Sequence, residues 1–165
     1  MLLKTRHFGD ITIDKDNIIT FNDGIPSFEN VKKYVVLDNP NNESPFKWLQ
    51  SVDEPDLAFA IINPFLIKAD YDIDLDDDAI NALDIEKEEE VLIYSIVVVP
   101  EDVSRISMNL KAPVVINSRS KKAMQVVLDT DKYSVRHYIL EELRKQRRAE
   151  NACTDKKEGS VHSNR

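Results

Sequence analysis

The chain has 165 residues, 42% of them hydrophobic and 32% charged, with a formal net charge of −8 at pH 7. That length supports one domain with a proper core, and that balance excludes a disordered chain. Only three glycines occur, Gly9, Gly24 and Gly159, so neither a G-x-G-x-x-G turn nor a phosphate-binding P-loop can be written. The longest apolar runs, such as residues 57–62, are too short to cross a bilayer. No apolar segment of signal-peptide length follows Met1, and a cytoplasmic protein is expected. The single Cys153 lies in a polar tail, which removes a disulfide framework and any cysteine-based metal site.

The charge is uneven. Residues 144–165 hold seven Lys/Arg against three acids, a balance of +4 that leaves −12 for residues 1–143. A body this acidic repels phosphate backbones, so direct nucleic-acid binding is not expected. It favours a basic protein partner instead.

In chain order, residues 2–5, 9–13 and 18–21 read as short strands, with Asp14-Lys15-Asp16-Asn17 as a hairpin-length turn between the last two. Asp23-Gly24 marks a tight turn. Pro26 stiffens the backbone beyond it, so that Ile25 and Phe28 flank a fixed point. Residues 34–37 and 46–51 are further strands, the second holding the only tryptophan, Trp48. In a strand that alternates with Lys47, Trp48 belongs in the core; exposed, it would be an interface anchor. Residues 57–62 are apolar on both faces, as a fully buried strand is. Residues 71–75 alternate as a strand with outward aspartates. Asp76, Asp77 and Asp78 then open a short helix to Leu83, because carboxylates in a first turn satisfy free N–H groups and suit the dipole. Residues 91–99 form the most apolar, β-branched strand and belong in the centre.

Next, Ile106, Met108 and Leu110 alternate with polar neighbours until Pro113, which has no N–H to donate and interrupts the ladder. Asn109 and Asn117 bracket that break as turn residues, or as groups that pin the kink or meet a partner. Residues 123–128 read as a strand; residues 133–138 fit strand or helix and are taken as strand, with a fraying helix from about Ile139 and a disordered basic tail from about Arg144. The expected fold is therefore mainly β: a small antiparallel, barrel-like or sandwich domain over residues 1–143 with one or two short helices, followed by the tail 144–165.

Catalytic chemistry finds little support. The block of residues 70–90 contains eleven carboxylates and one lysine, and its Asp-x-Asp-x-Asp spacing suggests calcium. A calcium loop beginning at Asp70, Asp72 or Asp74 would need Gly sixth and Glu twelfth, and finds neither. The block reads better as a solvated face, a helix cap and an electrostatic patch that steers a cationic partner. His7, His137 and His162 make no metal-binding pair, and no serine sits in a nucleophile elbow. No catalytic residue, metal ligand or cofactor is assigned. The rival reading is a metal-dependent β-barrel hydrolase using the acidic block; a third is a generic holder of apolar clients.

Several motifs then stand in order: Gly24-Ile25-Pro26-Ser27-Phe28, Phe46-x-Trp48-Leu49-Gln50-Ser51, Leu57-Ala58-Phe59, Asp70-Tyr71, Asn109-Leu110-Lys111-Ala112-Pro113-Val114-Val115-Ile116-Asn117, and Gln125-Val126-Val127-Leu128 with Tyr133. Over residues 1–143 the chain resembles the flagellar assembly factor FliW family, most specifically in the segment from Asn109 to Asn117. The family usually has Gly where Ser27 stands, and its common core ends before the tail. The resemblance implies a β-barrel-like binding protein without catalytic activity and with two alternative partners. One is cytoplasmic flagellin; the other is CsrA, an RNA-binding repressor of flagellin translation. On this basis Ile25, Pro26 and Phe28 are candidate apolar contacts. Gln50, Ser51, Asn109, Lys111 and Asn117 are candidate hydrogen-bonding contacts, chosen because polar groups beside ladder breaks present unused donors and acceptors.

Overall fold

The structure, a computed structural model, describes residues 1–41 and 43–161. Strands β1 (Leu2–Thr5) and β2 (Gly9–Thr12) pair as an antiparallel hairpin. The other strands share one sheet: β3 (Ile19–Phe21), β4 (Lys33–Asp38), β5 (Phe46–Ser51), β6 (Ala58–Ile62), β7 (Val91–Val98), β8 (Ser107–Met108), β9 (Val114–Asn117), β10 (Lys122–Gln125) and β11 (His137–Tyr138). Seven of them, in the order β7-β6-β5-β4-β3-β10-β9, return to β7 and close a barrel. Around this ring every pairing is antiparallel except β3 with β10. An odd number of strands cannot alternate direction all the way round, so one parallel contact is forced. Closure pairs the strand edges that would otherwise invite association.

The barrel wall buries both faces. Inside lie Phe21, Tyr34, Leu49, Ile61, Val114 and Ile116. Outside, the β1–β2 hairpin lays Leu3 and Ile13 on Val35 of β4. A second outer layer covers β6, β7 and β8, where Ile62, Val97 and Met108 meet Ile67, Tyr71, Leu110, Tyr133 and Ile139. The outer layers explain why these strands are apolar on both sides. The upper rim carries the C-terminal ends of β3, β5 and β10 and the N-terminal ends of β4 and β6. The lower rim carries the start of β7 and the ends of β6 and β9.

Two α-helices occur among the described residues. α1 (Asp77–Ala82) starts under Asp76, whose carboxylate accepts from the Ala79 N–H at 2.8 Å, as the aspartate run predicts. It stops in a Schellman arrangement. The Ile85 N–H returns to the Ile80 carbonyl and the Asp84 N–H to that of Asn81, with Asp84 at φ 54°. α2 (Ile139–Val161) begins where the sequence places a helix. It runs on across residues 144–161, which are expected from their polarity to lack structure. Arg, Lys, Gln, Ala and Glu dominate residues 144–150 and all favour helix, a local preference that apolar periodicity does not register.

Other expectations need correction. The strand at residues 9–13 pairs backwards with β1, not forwards with β3. Asp14 caps a 3-10 turn, Lys15–Asn17, that carries the chain from the hairpin layer into the barrel. Residues 71–75 form no strand. Tyr71 turns inward and donates its hydroxyl to the Leu110 carbonyl at 2.7 Å, while the Asp72 N–H donates to the Tyr133 hydroxyl at 2.9 Å. The alternation there reflects a loop pressed onto the barrel. The segment at 133–138 pairs only through β11, and the one at 106–111 only through β8. Residues 58–60 are half-buried, not fully so.

Candidate functional site

Gly24 opens the turn between β3 and β4. Its φ is +68°, and a Cβ there would stand 2.6 Å from the Glu29 backbone, so only glycine fits. Ile25-Pro26-Ser27-Phe28 then makes a type II turn. Pro26 supplies the first central position, Ser27 takes φ 75° at the second, and the Phe28 N–H donates to the Ile25 carbonyl at 2.7 Å. Ser27 thus adopts the conformation for which glycine is usual. Ile25 is buried among the barrel's interior residues, while Pro26 and Phe28 face outward. Phe28, 38% exposed, meets Phe59 edge-on at 5.5 Å; Phe59 leans on Tyr34, and Tyr34 meets Phe21 edge-on at 5.1 Å. This chain of four rings ties a surface knob to the barrel centre. The Tyr34 hydroxyl finds no partner among the described residues, and burial pushes its pKa up to about 12.

Gln50 and Ser51 stand near the same rim but are buried. The Gln50 amide donates to the carbonyls of Ser51, Pro55 and Leu57 at 3.1–3.2 Å, and the Ser51 Oγ accepts from the Glu54 N–H at 2.9 Å. Both set the shape of the loop between β5 and β6. Trp48, on β5, is half-buried: His7 stacks on it at 5.9 Å and Phe8 meets its edge at 5.8 Å, so the β1–β2 turn covers it.

Asn109 and Lys111 belong to a bulge half-way along β7. Met108 faces Val97 and Val114 faces Tyr94, so six steps on one strand span three on the other. The displaced residues lose their ladder partners and find others. The Leu110 and Lys111 N–H groups donate to the Ser134 carbonyl, and the Ala112 N–H to the Asn109 Oδ1 at 2.9 Å. The carbonyls of residues 110–113 accept in turn from the Tyr71 hydroxyl, the Leu128 N–H, the Gln125 amide and the Val126 N–H. Pro113 sits where no N–H is needed. The Lys111 ammonium reaches the Thr130 carbonyl. Buried main-chain polar groups demand partners, and here they are found.

Asn117 lies at the opposite rim, fully buried. Its amide donates to the Leu83 carbonyl at 2.8 Å and the Asp84 carbonyl at 3.2 Å, while its Oδ1 accepts from Arg119 and Ser120. It clamps the end of α1 to the barrel. The eight candidate residues therefore fall in three places. Pro26 and Phe28 are the ones that stand out to solvent; Ile25, Gln50, Ser51 and Asn117 are buried, and Asn109 and Lys111 are half-buried with their side chains engaged.

Sequence reading missed one cluster. Glu142 on α2 is 7% exposed and lies 3.0 Å from His137 Nε2, 3.5 Å from Lys68 Nζ and 3.3 Å from the Gln146 amide. Burial by itself would raise its pKa, but the hydrogen bond from His137, the Lys68 charge and Gln146 together hold it below the usual carboxylate value. The clue in the sequence is one of two adjacent acids, five residues after a histidine at a helix start, too slight to single out. Among the described residues, no three His, Cys, Asp or Glu side chains cluster to hold a metal ion. No helix of the described chain is long and apolar enough to cross a membrane.

Fold and surface define a class: a small closed β-barrel, jacketed on two sides, that presents rigid turns at its rims. A family model described as FliW protein matches residues 2–139. The flagellar assembly factor FliW of Ruminiclostridium cellulolyticum is 54% identical over 146 residues, covering 88% of this chain and 99% of that one. Those of Alkaliphilus metalliredigens and Treponema pallidum are 44% and 35% identical, over 96% and 93% of this chain. A crystal structure of the flagellar assembly factor FliW superposes with a TM-score of 0.78 at 37% identity, covering 84% of this chain and 96% of that chain. The chain belongs to the FliW family.

Proposed function

We propose that this protein is a cytoplasmic flagellar assembly factor that binds newly made flagellin and, when flagellin is scarce, the translational repressor CsrA. Family membership across the whole barrel is the observation that carries this reading. Holding CsrA away from its messenger restores flagellin synthesis, and export of flagellin frees the factor to do so. Mass action on one shared binder then couples the two. The balance of −12 in residues 1–143 supports a basic partner, because a protein that binds RNA offers positive charge.

Pro26 and Phe28 are the proposed direct contacts. A half-exposed aromatic on a stiff turn loses little entropy when covered. Ile25, Gln50 and Ser51 shape the rim that presents them, while Asn109 and Lys111 hold the bulge and Asn117 the opposite rim. Purified protein mixed with flagellin monomer or with CsrA provides the test. A stable complex with each is expected, and Phe28→Ala should weaken capture of at least one by about tenfold while the variant still unfolds cooperatively at a thermal midpoint only slightly lowered by the loss of its Phe59 contact. Undiminished capture of both by that variant removes the knob from the site. Failure of the parent protein to retain either partner overturns the function.

A further inference from the structure

The outer layer over β7 is incomplete. The loop from Phe65 to Leu75 and α1 with its exit both border the strand's first half. Between them runs an open groove of about 510 Å³. It is lined by Val91 and Ile93 of β7, Phe65, Ile73 and Leu75 of the loop, and Ile80 and Ile85 of α1 and its exit. All seven side chains are apolar, and each keeps part of its surface in solvent.

Asp74 and Glu88 also line this groove. Elsewhere in the acidic block, four carboxylates are ion-paired: Asp70 with Lys68, Asp84 with Lys122, and Glu86 and Glu90 with Arg119. Those contacts fasten the block to the rest of the chain. Asp74 and Glu88, like Asp72, Asp76, Asp77, Asp78 and Glu89, form no ion pair among the described residues. An apolar trough edged by uncompensated negative charge fits an apolar ridge edged by positive charge. A helix supplies such a ridge through side chains spaced three and four apart, with lysines or arginines flanking it.

Its position is equally informative. The groove lies at the lower rim, where β7 begins and β6 ends, whereas Pro26 and Phe28 stand at the upper rim. We propose that this groove is a second docking surface, built for a basic amphipathic helix of a protein partner and separated from the Phe28 knob by the height of the barrel. The inference goes beyond the partners proposed above and does not depend on their identity. It makes the molecule two-sided, so that one end stays open while the other is covered.

A labelled amphipathic peptide of leucine and lysine is the probe, with a leucine–glutamate peptide of the same pattern as control. Fluorescence anisotropy measures binding to the full chain, and isoleucine methyl resonances report its place. The expected result is saturable binding of the lysine peptide with shifts at Ile73, Ile80, Ile85 and Ile93. Leu75→Lys, on a loop, should weaken it about tenfold. Asp74→Asn with Glu88→Gln keeps the apolar trough and should flatten the salt dependence of binding, a readout that survives should Leu75→Lys perturb the fold. Phe28→Ala should leave the affinity unchanged. No binding, equal binding of the glutamate peptide, or shifts confined to other isoleucines would overturn the proposal.

Discussion

At the scale of single residues, backbone conformation and buried polar groups set the terms. Ser27 occupies the left-handed region at φ 75°, which costs a residue with a Cβ about 1 kcal/mol relative to glycine. Ser27→Gly relieves that strain but adds freedom to the unfolded chain. The net gain should therefore be at most about 1 kcal/mol, read as a higher urea midpoint at constant slope. Asn117 is the converse case: its side chain satisfies two carbonyls and two N–H groups around the end of α1. Asn117→Ala leaves the Arg119 and Ser120 N–H groups unpaired and takes one of two donors from each carbonyl, since Ser120 Oγ still reaches Leu83 and the Arg119 guanidinium Asp84, and should cost about 1–3 kcal/mol. Amide exchange should locate the loss at α1 and the turn after β9. An exchange pattern identical to the parent's would show that Asn117 does not hold α1.

Elements obey a different logic, because each one survives only with something to pack on or pair with. The bulge between β8 and β9 is an insertion into a ladder, sustained because the side chains of Tyr71 and Gln125 from two other segments, and of Asn109 within the bulge, take over its hydrogen bonds. α2 is mainly polar and is anchored at its first turns: Ile139 enters the outer core, Glu142 joins His137 and Lys68, and the Gln146 amide reaches the Ile67 carbonyl. Since the Glu142 carboxyl is held below its ordinary value, its contribution is fully present above the unfolded value of about 4.3. It is lost as pH falls through the lowered folded value. Glu142→Gln should cost about 1–3 kcal/mol at pH 7, with the gap from the parent closing in acid. Urea midpoints at pH 7 and about pH 3 check this; a gap of equal size at both would show that the ionised carboxylate is not the anchor.

Across the whole molecule, charge and shape act together. The barrel is a stiff body whose interior, hairpin layer and loop layer leave little room for rearrangement, so its partners meet a preformed surface. The acidic balance of residues 1–143 extends attraction for a cation over about 10 Å at 0.1 M salt and only about 3 Å at 1 M. Association with a basic partner should therefore slow several-fold between those conditions, while dissociation changes less. Stopped-flow mixing measures both, and an association rate indifferent to salt would separate the charge of the body from its encounter with partners.

The sequence by itself determined what depends on neighbours along the chain. It marked most strands by their period, the start of α1 by its aspartates, the stiff turn at Gly24 and Pro26, the ladder break at Pro113, and the family by the order of these motifs. The family implied a barrel, but which strands close it was decided by the tertiary structure. The parallel contact of β3 with β10 joins segments about a hundred residues apart and carries no local signature. Only tertiary structure turned Gln50 and Asn117 inward, because a polar side chain looks the same in sequence whether it meets water or a buried carbonyl. It likewise converted the alternation at residues 71–75 into a loop, and assembled Glu142 with His137 and Lys68. Periodicity records which side of a segment is apolar; which segment then covers that side is settled by packing between distant parts of the chain.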